Sequence, residues 1–383
     1  MDNNQEAFVA LLRGGLWGKE VQFAPYTDLD FKEIYRLAQE QSVVGLVAVG
    51  IETLQSPRFK IQGIPPIHQM IALTIAGEVF QLEQRNRAMN KFVARLVADM
   101  RTEGIDALLV KGQGIAQCYE KPEWRTCGDV DLFLSENNYA KAKELLVPLA
   151  TSVEEEYVRE KHLGMTIDGW VVELHGRLYC GLSSRIEREL DDIYVDTFNG
   201  GNVRSWNNNG VQVFQLGVEN DVFYVFTHIL QHFYKEGVGL RQVCDWCRLL
   251  YTYRDSLNYG LLEQRINSAG LMSEWKAFGA LAIEYLGFPK DSMPLLDVRS
   301  KKEDVRWRKK ADRIMEFILK SGNMGHNRDM SHFSKRPYLI RKCVSMGRRV
   351  CDLFNHARIF PLDSLRFFPY IMLNGVRSAL RGE

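Results

Sequence analysis

The 383-residue sequence carries almost no net charge: 49 Lys and Arg stand against 48 Asp and Glu, leaving +1 and a pI near 7.6. No global field draws such a chain to a polyanion, so polymeric nucleic acid is disfavoured as a substrate and any basic patch has to be local. No stretch reaches about 18 uninterrupted apolar residues, so no membrane-spanning helix is expected. The opening MDNNQEAFVALLRGG has an acid where a secretory signal has basic residues, and Arg13 cuts its apolar run, which argues against an export signal. The seven cysteines, at 118, 127, 180, 244, 247, 343 and 351, are odd in number and scattered. That suits reduced thiols in a cytoplasmic protein better than a disulfide framework. Cys244 and Cys247 have C-x-x-C spacing, but no second pair stands at zinc-finger distance and the run reads as helical, so a core role is expected. No internal repeat or low-complexity tract is present.

What the sequence does have is concentrated between Ala107 and Leu134, ALLVKGQGIAQCYEKPEWRTCGDVDLFL. Ala107 to Val110 is an apolar run too short for a helix and ends in Lys111-Gly112, which reads as a buried strand feeding a glycine turn. A second strand carries Val130, Leu132, Phe133 and Leu134, with Asp129 and Asp131 set into it two positions apart. Residues i and i+2 of a strand share a face, roughly 6 to 7 Å apart, so both carboxylates aim at one spot. Two buried carboxylates repel, and leaving them unpaired costs several kcal/mol, so a positive group belongs between them. Mg²⁺, or Mn²⁺, fits because it takes oxygen ligands and shares them with substrate phosphates. A purely structural reading has Asp129 capping a turn and Asp131 pairing with an arginine such as Arg125. Lys111 offers a point charge for phosphate, Gly112 permits close backbone approach, and Arg125 brings a fork of donors just ahead of the carboxylates.

Lys111-Gly112 followed by Arg125-Thr126-Cys127-Gly128-Asp129-Val130-Asp131-Leu132 resembles the signature of the polymerase-beta-like nucleotidyltransferase superfamily. It is most similar to the "uncharacterised nucleotidyltransferase" family, with its K-G turn, helix and R-x-x-G-D-[IV]-D-L strand. The direct match covers about 30 residues. The resemblance implies a third carboxylate on a later strand, for which Glu173 in Trp170-Val171-Val172-Glu173-Leu174-His175 is the candidate. Alternation there puts Glu173 and His175 on one face, and the turn at Asp168-Gly169 makes this the second strand of a hairpin. His175 reads as a hydrogen-bond partner of a carboxylate or as an ordinary half-buried histidine. The resemblance further implies Asp129, Asp131 and Glu173 as the catalytic, metal-binding set. The nucleotide falls to Lys111, Gly112, Gln113, Arg125 and Gly128, although Gln113 stands where the superfamily has a small residue.

Around this unit the pattern is α+β: a small mixed sheet with flanking helices in a catalytic domain over 105–215, a helical N-terminal lobe over 1–104 and a helical C-terminal domain over 216–383. Helical spacing runs over Gln5–Leu12 and Asp28–Leu54, with a cap offered by Tyr26-Thr27-Asp28, and one long helix spans Ile67–Arg101. Asn137–Leu149 reads as a crossover helix, Val153–Asp168 as strand material, Val203–Phe214 as a closing hairpin, and helices dominate beyond it. His228 and His232, four apart, share a helix face, but the glutamate of H-E-x-x-H is missing, which disfavours a zinc protease. Arg241 and Asp245, also four apart, are placed to pair. The resemblance, through a G-x-R-x-x-x-D-W segment, adds Arg241 and His232 to the nucleotide site. From Lys335 to Glu383 ten Lys and Arg face three Asp and Glu, interleaved with aromatics. That tail reads as a docking surface for peripheral contact with an anionic membrane, a nucleic acid or an acidic protein partner, or as a packed helical end with a solvated basic side.

Three functions fit this reading. The first is Mg²⁺-dependent transfer of a nucleoside monophosphate from an NTP to an unidentified acceptor, with release of pyrophosphate. The second is a non-catalytic nucleotide-binding or partner-binding module on the same fold. The third is a D-x-D glycosyltransferase using a nucleotide sugar, which would need an alternating strand and helix half ahead of the motif. About a hundred mostly helical residues stand there instead.

Overall fold

A computed structural model describes residues 1–18, 29–55, 67–296, 301–327 and 338–381. The Tyr26-Thr27-Asp28 cap lies outside them. At the N-terminus the helix Asn3–Trp17 starts from a capping box in which Asp2 and Gln5 satisfy each other's backbone groups. The helical spacing over Asp28–Leu54 resolves into two helices, Phe31–Glu40 and Val44–Gln55, broken where Ser42 takes a left-handed φ of +56°. The first and third of these helices cross at glycines: a methyl on Gly15 would overlap the Leu46 carbonyl, and one on Gly50 the Leu11 carbonyl. Gln69–Thr102 is one long helix, as its unbroken spacing requires.

The seven strands are β1 (Ala107–Val110), β2 (Asp129–Leu134), β3 (Ser152–Val153), β4 (His162–Ile167), β5 (Trp170–His175), β6 (Val203–Asn208) and β7 (Val211–Leu216). They form one mixed sheet in the order β3-β4-β5-β2-β1-β7-β6. β2 pairs parallel with β5 and β1 parallel with β7, and the other neighbours are antiparallel. Both hairpins turn on residues suited to φ > 0: Asp168-Gly169 at +51° and +79°, Asn209-Gly210 at +51° and +85°. The expected strand material over Val153–Asp168 is therefore two strands joined by an irregular stretch.

Strand alternation sorts the core into two faces. Ala107, Leu109, Val130, Leu132, Leu134, Val172 and Leu174 pack beneath Met89, Val93, Leu96 and Met100 of the long helix and Ala142 and Leu146 of the crossover helix Glu136–Leu146. Leu108, Val110 and Phe133 belong to the opposite face, which joins the helical body. There Phe226, Trp246 and Trp275 meet with ring centroids 4.8 to 5.3 Å apart. That body comprises Val218–Lys235, Leu240–Thr252, Tyr259–Ala269, Met272–Glu284 and Lys301–Ser321, together with Ser184–Phe198, a helix the sequence reading lacked. Cys244 and Cys247 are fully buried and unbonded within it.

The tail's described part forms the helices Tyr338–Ala357 and Pro361–Arg381. Phe360 and Phe367 are buried against Phe233 and Tyr234, while Phe354 stays exposed. No helix among the described residues is long and apolar enough to cross a membrane.

Candidate active site

The face of the sheet turned to the helical body carries the chemistry. Register sets Asp131 directly beside Glu173 on the parallel strands β2 and β5, and beside Val110, the last residue of β1. Asp129, two residues back, shares that face. Lys111 follows β1 and opens the five-residue helix Gly112–Ala116 with a φ of +56°, a conformation a non-glycine residue adopts only when its surroundings impose it. Its Nζ lies 2.8 Å from Asp131 Oδ1, and His175 Nε2 is 2.8 Å from the same oxygen. His175 therefore partners a carboxylate, and Asp131 pairs with Lys111 rather than with an arginine. Glu173 Oε2 stands 3.2 Å from His162 Nε2 and 3.5 Å from His175 Nε2.

These groups polarise one another. The Asp129 carboxyl is raised above the usual range, first by the negative charge of Asp131 and then by burial. Burial alone would lower Lys111, but Asp131 and the neighbouring acidic groups hold its ammonium charged, above the ordinary lysine value. Burial opposes ionisation of Glu173, yet the bonds from His162 and His175 hold it below the usual range. Burial alone would lower His175, but its bonds to Asp131 and Glu173 together with the Asp131 charge leave it raised. Burial, then Lys111, keeps His228 neutral.

Two cavities meet at this wall. One, of about 280 Å³, is lined by Asp129, Asp131, Lys111 and Gly112 on the sheet side and by His232 and Arg241 on the helical side. The other, of about 390 Å³, reaches past His162 and His175 to Tyr157, Tyr179, Lys235 and Asn374. Lys111, Glu173, His228 and Gln231 border both.

The expected nucleotide-binding residues divide. Lys111, Gly112, Arg241 and His232 line the smaller cavity, where Arg241 donates to the Thr126 carbonyl at 3.0 Å and keeps a buried Nε without a partner among the described residues. His232 Nε2 lies 3.1 Å from His228 Nε2. Arg125 borders the same cavity, but its fork is taken: Nε and Nη2 donate to Asp245 at 2.9 and 2.6 Å, and Nη1 to Thr126 O at 3.1 Å. Asp245 also accepts from Tyr119 Oη at 2.7 Å, so the expected Arg241–Asp245 pair gives way to Arg125–Asp245. The Gln113 side chain turns away into the core, donating to Asn86 Oδ1 at 2.8 Å, and the exposed Gly128 lines neither cavity. The sequence reading missed His162, although counting outward from the Asp168-Gly169 turn places it opposite His175. It also missed Tyr224 and Gln231, whose helix carried the noticed His228 and His232.

The carboxylate pair suits a hard dication: Asp129 is perturbed mainly by its like-charged neighbour, and no hydrogen bond among the described residues engages either Asp129 side-chain oxygen or Asp131 Oδ2. Glu173 Oε2 faces the imidazoles, and the three carboxylates do not gather as tightly as His162, Glu173 and His175 do.

A strand, glycine turn, short helix and second strand that bring Lys111 up to paired aspartates, inside a mixed sheet flanked by helices, define a nucleotidyltransferase-type fold. The chain belongs to the family described as "Uncharacterised nucleotidyltransferase", which matches residues 27–287. Membership supports a general nucleotidyl-transfer role. No curated protein and no solved structure gives a significant match.

Proposed function

We propose that the protein transfers a nucleoside monophosphate from an NTP to an acceptor, releasing pyrophosphate. The observation that carries this is the juxtaposition of Asp131 and Glu173 in register on parallel strands, with Asp129 on the same face and Lys111 against Asp131. Asp129 and Asp131, with Glu173 as the third carboxylate, would hold Mg²⁺ or Mn²⁺, which supplies charge neutralisation for the phosphates. Lys111 and the Gly112 backbone would meet those phosphates from the sheet side. Arg241, whose buried Nε has no partner among the described residues, would meet them from the helical side, beside His232. Arg125, braced by Asp245, holds the entry to β2 in place. The transition state of phosphoryl transfer asks mainly for positioning and charge stabilisation, which this wall of fixed charges provides.

The larger cavity, sharing Glu173 and Lys111 with the smaller, is the natural seat of the acceptor. Glu173, or the neutral His228 imidazole that borders both cavities, would take the acceptor's proton.

Asp131→Asn, measured for Mg²⁺-dependent NTP binding by calorimetry and for pyrophosphate release, is expected to lose both. Unchanged binding and turnover would end the assignment. The non-catalytic module keeps one observation in its favour, the engagement of Asp131 Oδ1 by both Lys111 and His175. NTP binding with no transfer to any acceptor in a broad screen would select that reading.

A further inference from the structure

A second group of donor atoms is built into the β4–β5 hairpin, next to the aspartate pair, since His175 Nε2 also lies 2.8 Å from Asp131 Oδ1. The Asp168-Gly169 turn pairs Ile167 with Trp170, and the ladder then sets His162 squarely across from His175, with Glu173 two residues earlier on the same face. The two imidazole centroids are 4.8 Å apart, and the ligand atoms of His162, Glu173 and His175 all lie within 4.8 Å of one another. Among the described residues this is the one such group of three or more His, Cys, Asp or Glu.

The spacing is what a metal ion needs. Zinc bonds of roughly 2.0–2.1 Å in a tetrahedron put adjacent donors roughly 3.3 Å apart. The two nitrogen-to-Oε2 separations, 3.2 and 3.5 Å, bracket that figure. The third edge of the triangle, between the ligand atoms of the two imidazoles, is at most 4.8 Å. The donor chemistry also differs from that of the aspartates: two imidazoles and one carboxylate favour zinc and its transition-metal neighbours over magnesium. All three residues line the 390 Å³ cavity, which gives an ion both an entrance and a face open to a bound molecule.

We propose that His162, Glu173 and His175 form a transition-metal site, selective for ions such as Zn²⁺ over Mg²⁺, in the wall of the larger cavity. With three protein donors, the ion keeps one position for an oxygen, nitrogen or sulfur atom of a molecule held there. Identifying that molecule with the acceptor rests on the nucleotidyl-transfer reading above; the ion site does not. Glu173 belongs to both cavities, with Oε2 toward the histidines, so one carboxylate links this site to the aspartate pair.

Co²⁺ titration of the full-length metal-free chain, followed by visible absorption, tests the site. One equivalent is expected to give the intense bands of four- or five-coordinate Co²⁺, and Zn²⁺ but not Mg²⁺ is expected to remove them. His162→Gln is expected to abolish the bands and weaken Co²⁺ binding about 10- to 100-fold or more, with circular dichroism confirming that the variant is folded. Asp129→Asn, whose side chain touches neither histidine, is expected to keep the bands while losing Mg²⁺-dependent NTP binding, so the two assignments fail separately. A spectrum that stays that of hydrated Co²⁺, bands that survive in His162→Gln, or bands that vanish in His232→Gln instead would overturn the proposal.

Discussion

Arg125 offers the sharpest test, because its sequence context reads as a phosphate ligand and its surroundings describe a buried brace. The side chain is 5% exposed and Asp245 is 4% exposed. Asp245→Asn would keep the shape and the contact with Tyr119 but leave the guanidinium buried with no counter-charge, a change that typically costs about 3–5 kcal/mol. Arg125→Met strands the Asp245 carboxylate in the same way and should cost a similar amount, whereas Arg125→Met with Asp245→Leu removes both charges and replaces them with apolar volume. That exchange is commonly near neutral, with about 1 kcal/mol added for the lost Tyr119 hydrogen bond. The singles should therefore sum to roughly 6–10 kcal/mol while the double costs about 1–3, a coupling of several kcal/mol. Urea unfolding followed by tryptophan fluorescence and far-ultraviolet dichroism measures the cycle, with the slope checked for two-state behaviour. NTP binding to the double variant then settles the role: near-parent affinity marks a brace, and loss beyond about tenfold marks a phosphate contact. The reasoning is refuted if Asp245→Asn unfolds within about 1 kcal/mol of the parent, or if the two single effects simply add.

Three further outcomes follow. Lys111→Met is expected to weaken Mg²⁺-dependent NTP binding about 10- to 100-fold, the loss of one charge-assisted contact worth ~1.5–3 kcal/mol; calorimetry showing parent affinity would remove Lys111 from the site. Glu274 is fully buried, accepts from Tyr234 Oη at 3.0 Å, and is pushed up to about 8, chiefly by burial. The folded state thus holds a proton that the unfolded chain releases near 4.5, so stability falls as pH rises from 4.5 to 8, by up to roughly 5 kcal/mol; Glu274→Gln should flatten this dependence in urea midpoints taken at pH 5 and pH 8, and an unchanged slope would contradict it. Gly50→Ala should destabilise the N-terminal helices by roughly 1–3 kcal/mol or more, since the new methyl meets the rigid Leu11 carbonyl, and a melting temperature equal to the parent's would show that the crossing can open.

Local pattern carried much of the fold. The apolar run Ala107–Val110 and the unbroken spacing up to Arg101 became elements with nearly those bounds, because each signal lies within a few residues of chain. The shared face of Asp129 and Asp131 followed from strand alternation alone, whereas Glu173 was named because the resemblance called for a third carboxylate on a later strand. The helix Ser184–Phe198 was just as legible, with Ser183 as its cap and Ile186, Leu190 and Ile193 as its buried stripe, and it went unread. What stayed hidden depends on distance along the chain. Arg125 finds Asp245 120 residues away, and no local pattern distinguishes that partner from Arg241, four residues from Asp245 on one helix. The inward turn of Gln113 depends on Asn86 in the long helix, and Lys111's backbone conformation on everything packed around the turn.

The pairing of β4 with β5 also constrains how this protein can change. Adding or removing a single residue within β5, ahead of Glu173, would rotate Glu173 and His175 to the opposite side of the sheet, beneath the long helix, and leave Asp131 with a hydrophobic neighbour. Length is free to vary only beyond the ladder's end, at Asp168-Gly169, where the chain reverses in the open. Libraries that diversify this protein should extend it at that tip and keep the spacing from Trp170 to His175 untouched.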